Sequence, residues 1–105
     1  MDWTYLIVAG LLEIIWAVGL KYTEGFSRLW PSVVTIGVMV ASLALLALAL
    51  KTIPVGTGYA VWTGIGAAGT AIVGIVFFGE SRDALRIVCL VLIVAGVVGL
   101  KFAPH

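Results

Sequence analysis

The chain has 105 residues, 63% of them hydrophobic and 10% charged, with a formal net charge of +1 and a mean hydropathy of +1.24. A soluble domain carries roughly a quarter of charged residues, so this composition specifies an integral membrane protein, and the length leaves no room for a soluble enzyme domain beside a membrane bundle. The few basic residues are scattered, which argues against a nucleic-acid partner, and a single cysteine cannot build a disulfide framework within one chain.

The first apolar stretch, residues 3–20, covers about 27 Å as a helix, close to the hydrocarbon thickness of a bilayer. Its run from Leu6 to Leu20 is interrupted once, by Glu13. An ionised carboxylate at the centre of a membrane helix costs about 2.5–3.5 kcal/mol on insertion scales, so it requires a cavity, a partner or a proton, and it marks a functional site. Ala17-Val18-Gly19 looks like a signal-peptidase site, but an acid inside the apolar core and no basic residue before it argue against a cleaved signal. The stretch is therefore expected to be a retained span.

A polar interval containing Lys21, Gly25 and Arg28 follows, and Trp30-Pro31 announces the second span, residues 32–50. After a short turn holding Pro54 and Gly56, residues 57–78 form a third span rich in glycine. Gly64-Ile65-Gly66-Ala67-Ala68-Gly69 matches the dinucleotide fingerprint by letter, but it lies mid-span with no preceding strand and carries no such meaning. Gly66, Thr70 and Gly74 instead recur every four residues, a small-residue stripe that suits the close approach of another helix backbone. Ser81 is expected to cap the fourth span, residues 84–102, in which Ala95 and Gly99 form a second small-residue face suited to helix association. Cys89 lies inside that apolar span and reads as a small buried hydrophobe.

Four spans joined by loops of about 5–11 residues make a single four-helix transmembrane domain, multi-pass and all-α, with both termini on one side. No span carries a histidine, His105 being terminal, and no Ser-His pair or metal-ligand cluster is present. Neither an enzyme nor a cofactor or metal is expected.

Helical spacing places Gly10, Glu13 and Ala17 on one face of the first span, with Trp16 a turn from the acid. It groups Thr35, Met39 and Ser42 on the second span, and Tyr59, Trp62 and Gly66 on the third with Thr63 adjacent. Glu13, Trp16, Ser42, Tyr59 and Trp62 are the candidate binding residues; Gly10, Met39, Thr63 and Gly66 are expected to line or pack the site. Lys21, Lys51 and Lys101 stand near span ends, where their ammonium groups reach the headgroups, so no basic residue neutralises Glu13. An acid that accepts a proton or a cation, but not both, is the core of a proton-coupled cation antiporter.

The whole chain resembles the small multidrug resistance family of four-helix exporters, through Glu13, Gly25-Phe26 with Arg28, Pro54 with Gly56, Tyr59-Ala60-Val61-Trp62, Gly64 with Gly66, and Phe77-Phe78-Gly79-Glu80. Trp16, Met39 and Trp62-Thr63-Gly64-Ile65-Gly66-Ala67 are similar to its guanidinium-exporter branch. The resemblance implies an antiparallel, dual-topology homodimer in the inner (plasma) membrane of a prokaryote, a central site shared by both protomers, and guanidinium or small guanidinyl cations exchanged for protons. Its drug-exporting branch, which takes quaternary ammonium and polyaromatic cations, is the alternative. Guanidinium is planar, permanently charged, and presents paired N–H donors that match a carboxylate while its face lies over an indole.

Overall fold

The computed structural model describes residues 2–103, so His105 lies outside the described residues. Four α-helices follow one another: α1 (Asp2–Tyr22), α2 (Leu29–Ala49), α3 (Val55–Phe77) and α4 (Ala84–Phe102). Each is long and apolar enough to cross a membrane. In hydrocarbon every backbone polar group must be satisfied within its own segment, and helices of this length do so.

The helix ends show what local chemistry adds to hydropathy. Past Tyr22, Thr23 stops α1 by donating its hydroxyl to the Leu20 carbonyl at 2.8 Å and accepting the Phe26 N–H at 3.2 Å. The backbone then passes through Glu24, Gly25 and Phe26 with φ of 49°, 72° and 65°. Helix α2 starts at Leu29, three residues ahead of the expected start at residue 32, because the Arg28 carbonyl accepts both the N–H and the hydroxyl of Ser32. Pro31 thus sits inside the first turn, where a missing N–H leaves nothing unpaired. At the other end of α3, Gly79 adopts φ 67°, and the N–H groups of Phe78 and Glu80 both return to the Gly74 carbonyl, each at 3.1 Å. The cap of α4 is Asp83 and not the expected Ser81. Asp83 adjoins the first helical residue, and its carboxylate accepts the Arg86 N–H at 2.9 Å, while Ser81 Oγ serves Asp83 itself.

Helix α1 lies between α2 and α3, and α4 packs chiefly on α3. Leu6 and Ala9 of α1, Leu46 and Ala49 of α2, and Val61 and Trp62 of α3 form the core with Ile53. No residue of α4 is buried within the protomer. Lys21 lies over the Phe78 ring at 5.0 Å, which brings the C-terminal end of α1 and the α3–α4 loop to the same end of the bundle. Lys101 lies over Trp3 at 5.9 Å at the opposite end.

The glycines of α3 differ from the expected backbone-to-backbone stripe. At the four from Gly64 onward the empty Cβ position receives a side chain, Glu13 at Gly66, Ile14 at Gly69, Val97 at Gly64 and the Glu80 carboxylate at Gly74, whereas Gly56 faces open space. Two consecutive residues of α1 thus fit into two glycine notches of α3, and one of them is the acid. Hydrophobic burial does not drive helices together in lipid, so such close fits, with interhelical hydrogen bonds, hold the protomer.

Candidate functional site

Helix α1 presents Glu13 to α3 at the only kind of position that leaves space for it, a glycine. A Cβ on Gly66 would collide with the Glu13 side chain, its Cγ standing 2.7 Å from that position. The acid and its notch open on a cavity of about 350 Å³ lined by Glu13 and Ala17 of α1, by Thr63, Gly66, Ala67, Thr70 and Ala71 of α3, and by Glu80 of the following loop. Among the described residues no cation pairs with Glu13, and its Oε1 is buried without a hydrogen-bond partner.

Two further buried polar atoms lack partners, Trp16 Nε1 one turn along α1 and Thr70 Oγ1 one turn along α3. Buried polar groups are nearly always paired, so each exception asks for an explanation. Of these three, an acceptor, a donor and a hydroxyl able to serve as both, Glu13 and Thr70 line the cavity and Trp16 stands one turn from the acid on α1. They are bonding capacity that the protomer itself leaves unspent.

The remaining candidates form an aromatic row beside the acid. Trp16 and Trp62 stand with ring centroids 6.5 Å apart, and Trp62 and Tyr59 with theirs 5.6 Å apart. Trp62 is buried whereas Tyr59 is exposed, so the row runs from the protein interior outward. Ser42 is fully buried and anchors the row: it accepts the Trp62 indole N–H at 3.0 Å and donates to the Ala9 carbonyl at 2.7 Å. The structure therefore brings Glu13, Thr63 and Gly66 onto the cavity, and Trp16, Ser42, Tyr59 and Trp62 into a network next to it. Gly10 is not open space, since Ile65 fills its missing Cβ position. Met39 lies half-buried on α2.

The sequence alone does not single out Thr70 and Glu80, which also line the cavity. Thr70 carries a signal, its place in the four-residue stripe with Gly66, but such a stripe equally suits helix packing. Glu80 stands in a loop, and no periodicity links a loop residue to a cavity.

A family model described as Small Multidrug Resistance protein matches residues 1–93. The chain belongs to the small multidrug resistance family. It is similar to proteins named Guanidinium exporter along its whole length and theirs: 63% identical to that of Escherichia coli O6:H1, 62% to that of Escherichia coli K12 and 58% to that of Citrobacter freundii, each over 105 residues and 100% of both chains. As a small multidrug resistance protein it is a multi-pass membrane transporter, and its four long apolar helices accord with that.

Proposed function

We propose that this protein exports guanidinium and small guanidinyl cations in exchange for protons, with Glu13 holding the proton and the cation in alternation. The observation that carries the reading is Glu13 itself, a carboxylate within a membrane span, seated against Gly66, with one oxygen buried and unpartnered. A carboxylate so placed is tolerated when a proton or a cation neutralises it, and competition between the two for one site couples their fluxes. The relatives named Guanidinium exporter support the choice of cation.

The site's chemistry suits that cation. A carboxylate takes two N–H groups of a guanidinium in parallel, and indole faces attract planar cations, an interaction worth about 2 kcal/mol or more when desolvated. Trp16 and Trp62 supply two such faces within reach of one another. Tetraalkylammonium ions have no N–H to offer and forgo the bidentate bond.

Alternating access requires the site to face each side in turn, commonly by exchanging two inverted repeats. Four spans contain no inverted repeat, so we assign the second half to a second copy in the opposite orientation, an antiparallel homodimer in the inner membrane. The test is flux: purified protein in liposomes is given a guanidinium gradient, and lumenal pH is followed with a trapped dye. Proton movement opposite to guanidinium, abolished in Glu13→Gln, is expected. Faster exchange with tetraalkylammonium than with guanidinium would replace this substrate with the quaternary-ammonium class, and exchange retained in Glu13→Gln would remove the acid from the mechanism.

A further inference from the structure

Gly66, Thr70 and Gly74 lie on one face of α3, and the structure gives each a polar tenant. Gly66 receives the Glu13 carboxylate, Thr70 holds its unpartnered buried hydroxyl, and Gly74 receives the Glu80 carboxylate, whose carbon stands 2.6 Å from where a Cβ would be. Eight residues of helix rise about 12 Å, so two carboxylates stand at the two ends of one polar stripe, too far apart for one guanidinium to touch both. Both line the same cavity, Glu13 with a buried carboxylate oxygen and Glu80 with a half-exposed side chain.

The occupant of Glu80 indicates what the outer position accepts. Arg86 Nη2 pairs with Glu80 Oε1 at 2.6 Å, so the group already seated there is a guanidinium. Neither partner is locked: the Arg86 and Glu80 side chains are 33% and 48% exposed, and ion pairs this open to solvent contribute little and exchange readily. The backbone, by contrast, is fixed on both sides. Glu80 is returned to α3 by its N–H bond to the Gly74 carbonyl at 3.1 Å, and Arg86 is held in the first turn of α4 by its N–H bond to Asp83 at 2.9 Å.

We propose that Glu80 is an outer cation site of the transport path, where an incoming guanidinium docks by displacing the Arg86 side chain before it passes along α3 to Glu13. The proposal rests on guanidinium being a substrate. Arg86 then acts as a tethered competitor with the substrate's own headgroup, and it re-forms the pair once the cation moves inward. The exchange trades one guanidinium–carboxylate bond for another, so it admits planar N–H cations at low cost. A tetraalkylammonium, which cannot replace the lost hydrogen bonds, is disfavoured at Glu80 before it meets Glu13.

The experiment is guanidinium uptake into proteoliposomes by wild type, Glu80→Gln, Arg86→Gln and the double variant, with KM and maximal rate separated. Loss of the outer site is expected to raise KM about threefold or more in Glu80→Gln, whereas loss of the competitor lowers it about twofold or more in Arg86→Gln. The double variant is expected to match Glu80→Gln, since without the carboxylate there is nothing to compete for. Both single variants break the same ion pair, so a purely structural bridge moves both KM values in one direction, and that result, or no change in either, overturns the proposal. Should Glu80→Gln not reconstitute, Glu80→Asp, which keeps the charge but withdraws it by one methylene, is expected to raise KM in its place, and an unaltered KM there overturns the proposal equally. Wild-type protein that moves protons but no guanidinium would overturn the substrate reading, and this site with it, whereas guanidinium flux with same-direction shifts overturns the outer site alone.

Discussion

Trp62 is tied to Ser42 and not to Glu13. The indole N–H donates to the Ser42 hydroxyl at 3.0 Å, and that hydroxyl donates to the Ala9 carbonyl at 2.7 Å, so one serine joins α3 to α1 through α2. Ser42→Ala leaves the indole N–H buried without a partner, a loss of about 1–3 kcal/mol. We expect a lower unfolding midpoint in detergent and weaker guanidinium binding, because the freed Trp62 ring no longer holds its angle to Trp16. Equal midpoints for wild type and Ser42→Ala would show that the bridge holds nothing.

Gly66→Ala offers a sharper test of the acid's seat. The added methyl occupies space that the Glu13 carboxylate fills, and relief requires the acid to swing away or the helices to part. We expect at least about a tenfold loss of transport, as for other binding groups displaced by around an ångström, in protein that still extracts and elutes as wild type does. Gly69→Ala presses on Ile14 instead and is expected to reduce stability more than substrate affinity. If the two variants have the same ratio of stability loss to affinity loss, the glycine at 66 has no particular relation to the site.

Much of this site could be read along each helix and little of it between helices. Glu13 stood out because its cost in a membrane depends on sequence alone, and Trp16 follows from its spacing to it. That Gly66 faces Glu13, and Gly69 faces Ile14, depends on the rotation and offset of α1 against α3. Helical periodicity says which residues share a face, but not which face meets which. The same gap explains Ser42, legible as an in-span hydroxyl while its two partners were not. The ends of helices are hard to read for a different reason. Hydropathy does not register the Arg28 carbonyl that starts α2 early, nor the carboxylate that makes Asp83 and not Ser81 the cap of α4.

Substitutions on α4 distinguish a protomer from an assembly. Gly96 and Gly99 have open space at their missing Cβ positions, and no α4 residue is buried within the protomer. Gly99→Leu therefore meets nothing inside its own chain. In the proposed homodimer, where small residues allow close helix approach, it is expected to lower dimer yield in crosslinking and to abolish transport, with the helix content unchanged by circular dichroism. Full dimer yield and full transport would place the partner contact elsewhere.

The antiparallel arrangement itself is open to a direct measurement. Lys21, Arg28, Arg82 and Arg86 stand at one end of the bundle and Lys51 and Lys101 at the other, four basic residues against two. The stacking of Lys21 on Phe78 and of Lys101 on Trp3 fixes those ends in the fold. Orientation follows the bias of Lys and Arg in short loops, and a difference of two is weak enough to allow insertion both ways. Some of the bias is also engaged, since Arg86 is paired with Glu80. Ser27, exposed in the first loop, can be replaced by cysteine once Cys89, which the fold leaves exposed on α4 and not buried as its apolar setting suggests, has been changed to alanine. In intact cells an impermeant maleimide is expected to label about half of the Ser27→Cys molecules, the remainder reacting only after permeabilisation. Adding two lysines to the first loop should bias insertion to one orientation and abolish transport, and co-expression with a variant biased the other way should restore it. Complete labelling from one side of a transport-active protein would rule out the antiparallel homodimer and require another source for the inverted half.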